Sequence, residues 1–257
     1  MHADLCLAIS KTNEVTEYHK HAKYIWECED YDDFGPAFDL MARDLGGTED
    51  WRQLLTVPDV WMGGIKDPNE QKGSAAIQYF FHWFLLKNLR ENGLLEQYDR
   101  FVVTRSDFYY TCIHMPIEMT DGNTIYIPDG ESYSGLCDRQ FIANAKDTEA
   151  ILSFGEDIVR CPTQLRDEMM ATGIRCWNPE QFLAWQMKRY GMLDRVKLFP
   201  YIMFLVRDVN EKSRWNWGSY DNSMNMIVKY GPELLAAQEH AKKFKSHKDW
   251  QEFLLQR

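Results

Sequence analysis

Residues 98–107 read YDRFVVTRSD, an apolar run that ends in charged residues. The unbroken apolar triplet at 101–103 predicts a strand over residues 98–104, in a central position covered on both faces. A long helix is predicted directly before it, over residues 75–92, because apolar side chains recur there at helical spacing and Gly93 follows its end. A helix followed by a buried strand is typical of an α/β fold.

The rest of the chain continues this alternation. Further strands are predicted at residues 3–10, 23–28, 124–127 and 196–206, the last as one or two strands. Further helices are predicted at residues 37–45, 50–55, 138–145, 148–158, 180–190, 233–244 and 246–255. The interleaving predicts an α/β fold in a single domain, with a mixed, mostly parallel sheet flanked by helices.

Composition narrows the class of protein. The chain has 257 residues, of which 45% are hydrophobic and 26% charged, which excludes disorder, collagen and coiled coil. A net charge of -10 argues against binding to nucleic acid or to an anionic membrane, but leaves a small phosphorylated ligand open. Neither a signal peptide nor an apolar run of about 20 residues is found. The six cysteines form no C-x-x-C pair, so we expect reduced thiols. Together these features predict a cytoplasmic location without a membrane span.

Arg105 and Asp107 stand at the end of the strand over 98–104. A carboxylate at such an end can hold a divalent metal, and a neighbouring Arg can bind phosphate in bidentate fashion. This is the electrostatic role that a departing nucleoside diphosphate requires. Taken alone, the triplet equally fits a surface ion pair or a strand cap. Arg207, after the strand that ends at residue 206, could add a phosphate contact.

A second cluster lies in the segment PDGESYSGLCDR at residues 128–139. Its two glycines indicate a tight loop that delivers an acid, a tyrosine and an Asp-Arg pair to the start of the next element. Asp138 could cap the predicted helix, or it could act as a general base on a sugar hydroxyl. The segment by itself leaves both roles open.

Together, the segments 98–110 and 127–139 resemble a group of GT-A-type glycosyltransferases found in large DNA viruses of algae and in related plant and bacterial proteins. In this resemblance, R-S-D takes the place of the D-x-D motif that binds metal and nucleotide sugar, and the downstream G-x-x-D-R motif supplies acceptor-side acids. The resemblance implies a GT-A-like (Rossmann-like) fold in one domain over residues 1–257. Residues 1–125 would bind the nucleotide sugar and residues 126–257 the acceptor.

The resemblance also implies a reaction. The enzyme would transfer a sugar from a nucleoside-diphosphate sugar donor to a hydroxyl of a glycan or glycoprotein acceptor. Asp138 would be the general base of an inverting reaction, and in a retaining reaction it would bind the sugar instead. Asp107 would ligate Mn²⁺ or Mg²⁺. The donor diphosphate would contact Arg105, Asp107 and Arg139, and the acceptor or donor sugar would contact Glu131, Tyr133, Trp215 and Trp217.

Two alternatives follow from departures from the motif. Arg105 stands where D-x-D has its first Asp, so the chain could be a glycan-binding protein that kept the fold and lost catalysis. A metal-dependent phosphohydrolase is the weaker alternative, because it normally needs several clustered Asp or His ligands. His114 could reach the site or could be structural.

Overall fold

The computed structural model describes residues 3–12, 14–66, 71–210 and 218–255. Trp215 and Trp217, predicted to contact sugar, lie outside the described residues.

The described residues form strands and helices in alternation. The strands are β1 (Leu5–Ser10), β2 (Ala22–Cys28), β3 (Arg100–Val103), β4 (Phe108–Tyr110), β5 (Ile125–Asp129), β6 (Phe141–Asn144), β7 (Val196–Pro200), β8 (Met203–Arg207), β9 (Ser219–Asp221) and β10 (Met226–Val228). The α-helices are α1 (Glu17–His21), α2 (Gly35–Asp44), α3 (Ala75–Glu91), α4 (Leu94–Gln97), α5 (Ala145–Ser153), α6 (Asp157–Arg160), α7 (Pro162–Ala171), α8 (Pro179–Arg189), α9 (Gly231–Lys243) and α10 (His247–Leu255). The α/β class is therefore confirmed. None of these helices is both long and apolar enough to cross a bilayer.

The chain divides into two compact units, each built from two stretches of sequence. The first contains Met1–Asp99 and Thr148–Pro179, and the second contains Arg100–Asp147 and Glu180–Arg257. Neither unit ends at residue 125, where the sequence analysis divided donor and acceptor halves. That functional division stays a prediction.

The first unit packs a short parallel strand pair and helices around aromatic residues. β1 pairs with β2 in parallel, with Leu7 opposite Ile25. The rings of Phe38 and Trp51 are fully buried, with centroids 5.2 Å apart. The Trp51 indole donates to Asp39, which also pairs with Arg52.

The second unit contains two four-stranded sheets, with strand orders β3-β6-β5-β7 and β4-β8-β10-β9. Its hydrophobic core joins strand residues such as Ile142 and Phe199 to Phe244 and Trp250, at the C-terminal end of the chain. A smaller cluster packs Ala237 of α9 against Phe204 and Val228.

The prediction of a mostly parallel sheet is wrong. Among the strand pairs of the described residues, two are parallel (β1 with β2, β5 with β7) and five are antiparallel. For β9 and β10 the physical reason is the length of the connection: they are joined by only a few residues, whereas a parallel crossover needs about a dozen or more.

Two predictions about single elements are also wrong. The strand predicted to be central is β3. Among the described strands it lies at the edge of its sheet, and its side chains are partly exposed. The helix predicted over 138–145 is instead strand β6, and α5 begins only at Ala145. Residues 141–144 pair antiparallel with β3, so tertiary pairing overrides the local helical pattern.

Candidate functional site

Arg105 and Asp107 occupy the turn between β3 and β4 and form a bidentate ion pair. Arg105 donates from Nε to Asp107 Oδ1 at 3.0 Å and from Nη2 to Oδ2 at 2.6 Å. The guanidinium carbon lies 5.5 Å from the ring centroid of Phe108, the first residue of β4. Because the two side chains remain 36% and 26% exposed, the pair is oriented yet open to a ligand.

The surroundings of Asp107 do not fit a divalent metal well. Both of its carboxylate oxygens accept hydrogen bonds from Arg105. The described residues contain no group of three or more His, Cys, Asp or Glu side chains that could hold a metal ion. Mg²⁺ and Mn²⁺ are usually held by more carboxylates or by substrate phosphates together with water. The metal requirement inferred from the resemblance stays a prediction.

The loop between β5 and β6 carries the second predicted cluster in a strained conformation. Glu131, Tyr133 and Ser134 have φ angles of 50°, 39° and 68°, in the left-handed region that costs non-glycine residues energy. Gly135 lies against the start of α8, where a Cβ atom would overlap the carbonyl of Glu180. The same carbonyl accepts the Leu136 N–H at 3.1 Å. Strained loops held this firmly are concentrated at functional sites.

Two predicted sugar-binding residues share this loop. The Tyr133 hydroxyl donates to the Glu131 carboxylate, and burial together with that hydrogen bond raises the pKa of Tyr133. Half of the Tyr133 side chain is exposed, and an aromatic ring with a polar edge suits contact with a sugar.

Arg139 is buried and its charge is paired inside the protein, so its predicted contact with a diphosphate stays a prediction. Its side chain is 7% exposed and pairs with the fully buried Glu233 of α9. Its guanidinium also donates to the Tyr201 hydroxyl at 3.3 Å and lies 5.2 Å from the ring centroid of Tyr230. Glu233 in turn accepts the Leu205 N–H at 2.9 Å. Arg139 therefore joins the loop, strand β8 and helix α9, and its position suits an orienting role.

Asp138 follows the loop and is partly buried beside Glu180. Burial and then the charge of Asp138 raise the pKa of Glu180 to about 8. Glu180 thus holds its proton at neutral pH. Two carboxyl groups whose environments separate their protonation states can divide acid and base roles between them.

Tyr230 connects the two predicted clusters. Burial raises the pKa of its hydroxyl, and the charges of Arg139, Arg105 and Arg207 oppose that shift. These charges act on one phenol only if the arginines lie near it. Phe108, next to Arg105, lies opposite Leu205, and Leu205 donates its N–H to Glu233, the partner of Arg139. The R-S-D turn and Arg139 are therefore joined through strand β8 in the second unit.

Lys229 lies beside the Tyr230 ring, and the sequence analysis does not name it as a candidate. Its side chain is 7% exposed, and its ammonium lies 5.2 Å from the Tyr230 ring centroid. Burial, followed by the charges of Arg207 and Arg105, lowers the pKa of Lys229 to about 8. The sequence signal was weak: a Lys between a short strand and the Gly231-Pro232 helix start is common on protein surfaces.

His114 has a structural role. Its Nδ1 contacts the Met115 carbonyl oxygen at 2.8 Å, and its Nε2 lies 2.6 Å from the side-chain nitrogen of buried Gln140. Gln140 also accepts from the Tyr110 hydroxyl at 2.8 Å. The carbonyl contact requires an N–H on Nδ1, so Nε2 is the acceptor and the ring is neutral. Burial lowers its pKa in agreement.

Comparisons of this chain with protein-family models, with curated proteins and with solved structures found no match. The functional argument therefore depends on the site itself.

Proposed function

We propose that this protein is a glycosyltransferase that moves a sugar from a nucleoside-diphosphate sugar to a hydroxyl of a glycan acceptor. The observation that carries the proposal is that strand β8 joins the R-S-D turn to Arg139, through Leu205 and Glu233. Arg105 and Asp107 come from the turn before β4, and Asp138 and Arg139 come from the strained loop before β6. Such a site combines groups for phosphate with groups for a sugar hydroxyl.

The reaction follows from the roles of these groups. The acceptor oxygen attacks the anomeric carbon of the donor while Asp138 removes its proton. The bond from the anomeric carbon to the diphosphate oxygen breaks, and the nucleoside diphosphate leaves with the electron pair. A single displacement of this kind inverts the configuration at the anomeric carbon.

The protonation states support Asp138 as the base. Glu180 has a pKa raised to about 8, and the charge of Asp138 is one of the causes. Beside a protonated Glu180, Asp138 would supply the carboxylate that a general base requires. Glu131 and half-exposed Tyr133 lie on the same loop and would contact the sugar.

One alternative is favoured by a specific observation. Arg105 engages both oxygens of Asp107, and this arrangement would also suit a protein that binds glycans without catalysis. Such a protein would bind a glycan and leave nucleotide sugars intact.

The test is sugar release or transfer from a panel of nucleotide sugars, by wild type and by Asp138→Asn, Asp107→Ala and Asp194→Asn. We expect Asp138→Asn to lower kcat by about 10²–10⁴-fold with little change in donor KM, because general-base catalysis contributes that much. Asp107→Ala should abolish transfer. Exposed Asp194 is the matched control and should be silent.

The outcomes separate the candidates. Full activity of Asp107→Ala or Asp138→Asn would reject the site. Glycan binding without consumption of any nucleotide sugar would favour the non-catalytic alternative. Nuclear magnetic resonance of the first product would determine its anomeric configuration, and retention would reject Asp138 as base.

A further inference from the structure

We propose that Arg105, Arg207 and Lys229 form a metal-independent binding site for the diphosphate of the donor. This inference rests on the proposed function and specifies how the donor is held. It assigns a role to two residues, Arg207 and Lys229, outside the R-S-D and G-x-x-D-R motifs.

The sheet β4-β8-β10 brings the three cations together. Phe108 of β4 lies opposite Leu205 of β8, and on the other side of β8 the Lys229 N–H donates to the Leu205 carbonyl at 3.0 Å. Residues opposite each other in an antiparallel pair share a face, and so do residues two apart in one strand. Lys229, Arg207 and the Phe108 ring therefore share one face of this sheet.

Arg105 is placed over that same face. Its guanidinium carbon lies 5.5 Å from the Phe108 ring centroid, and the Asp107 carbonyl accepts the Val206 N–H at 2.9 Å. The turn before β4 is thereby tied to the end of β8, one residue from Arg207.

Several positive charges act on Lys229. The chain carries a net charge of -10, yet Arg207, Arg105 and Arg139 all act on buried Lys229. Arg139 is matched by Glu233, and Asp107 is the acid whose charge opposes that of the arginines at Lys229. A bound dianion would offset the mutual repulsion of these cations.

The side chains at this place favour binding of the diphosphate by cationic residues rather than by a metal ion. A divalent metal would have to share the single Asp107 carboxylate with Arg105, which already engages both oxygens. Arginine forks bind phosphate in bidentate fashion, and a lysine adds a point charge. Together these groups supply the charge stabilisation that a leaving diphosphate needs.

The experiment is calorimetric titration of the full chain with inorganic pyrophosphate in buffer containing EDTA, and again with Mn²⁺. We expect binding in EDTA. Lys229→Met and Arg207→Gln should each weaken it by about ten- to hundredfold, since each removes a charge-assisted hydrogen bond. Lys243→Met is the matched control, because exposed Lys243 lies at the other end of α9, about 18 Å away. Melting temperatures of all variants establish that they are folded.

Each outcome has one meaning. Binding that requires Mn²⁺, binding that survives Lys229→Met and Arg207→Gln, or a lack of binding under both conditions would overturn the diphosphate site. If nucleotide sugars are consumed while pyrophosphate fails to bind in EDTA, the proposed function stands and this site falls. If pyrophosphate binds as expected while no nucleotide sugar is consumed, the anion site stands and the glycosyltransferase proposal falls.

Discussion

The substitution Arg139→Met should destabilise the folded chain strongly, although it introduces an apolar side chain into a buried place. Arg139 is 7% exposed, and its partner Glu233 is fully buried. The substitution leaves the Glu233 carboxylate inside the protein with the Leu205 N–H as its remaining main-chain donor. It also removes the hydrogen bond to Tyr201 and the cation over the Tyr230 ring.

The magnitude follows from the burial of both charges. Breaking a buried ion pair by removing one partner typically costs about 3–5 kcal/mol, because the other charge stays desolvated. For a chain of this size, each kcal/mol shifts the melting temperature by about 2–4 °C. We therefore expect the melting temperature of Arg139→Met to fall by about 6–20 °C.

The assay is thermal unfolding of four proteins: wild type, Arg139→Met, the double variant Arg139→Met/Glu233→Gln, and Arg166→Met. Arg166 forms a surface pair with Asp167, so its loss should cost less than about 1 kcal/mol. The double variant should regain part of the lost stability, because a neutral amide in place of the Glu233 carboxylate buries no charge and can still accept from the Leu205 N–H. The reasoning would be refuted if Arg139→Met behaved like Arg166→Met, or if the second substitution added to the damage.

Three further predictions concern the same unit. Gly135→Ala should lower the free energy of unfolding in urea by about 1–3 kcal/mol, because the new Cβ overlaps the Glu180 carbonyl. In the control variant Gly122→Ala the new Cβ meets nothing within 4 Å, so this substitution should be tolerated. Glu180 keeps its proton in the folded state up to a pH of about 8, whereas the unfolded chain releases that proton near pH 4.5. The free energy of unfolding should therefore fall as pH rises from about 4.5 to about 8. Urea titrations at several pH values should show this slope in wild type and not in Glu180→Gln. The affinity for a nucleotide sugar should fall as pH rises past about 8, because Lys229 loses its proton there. Lys229→Arg should keep its affinity over this pH range. An identical pH profile in both proteins would exclude Lys229 from the site.

The local elements were predictable because their signals are local. Helix α3 was predicted from apolar spacing and Gly93, and it ends within a residue of the prediction. The strands at 23–28 and 124–127 were found from short apolar runs next to turn residues. The same signals could not separate residues 141–144 from a helix, because a short run with three apolar residues suits either structure until a partner strand is known.

The site was predictable in part. The sequence predicts the R-S-D turn and the 128–139 loop, and the charges of Arg105 and Arg139 both act on Tyr230. Arg139 was expected to face a diphosphate, and the fold instead pairs it with Glu233, 94 residues further along the chain. The signal for Lys229 was weak, since a single lysine has no spacing to reveal a partner.

The amino-acid sequence by itself determined the α/β class, the positions of most strands and helices, and the two segments that carry polar chemistry. Periodicity, turn residues and caps act between residues a few positions apart, so they can be read along the chain. The tertiary structure alone decided the antiparallel order of strands, the edge position of β3 and the gathering of Arg105, Arg207 and Lys229. These features depend on the pairing of distant strands and on burial, which determine direction, neighbours and charge state only after the chain has folded.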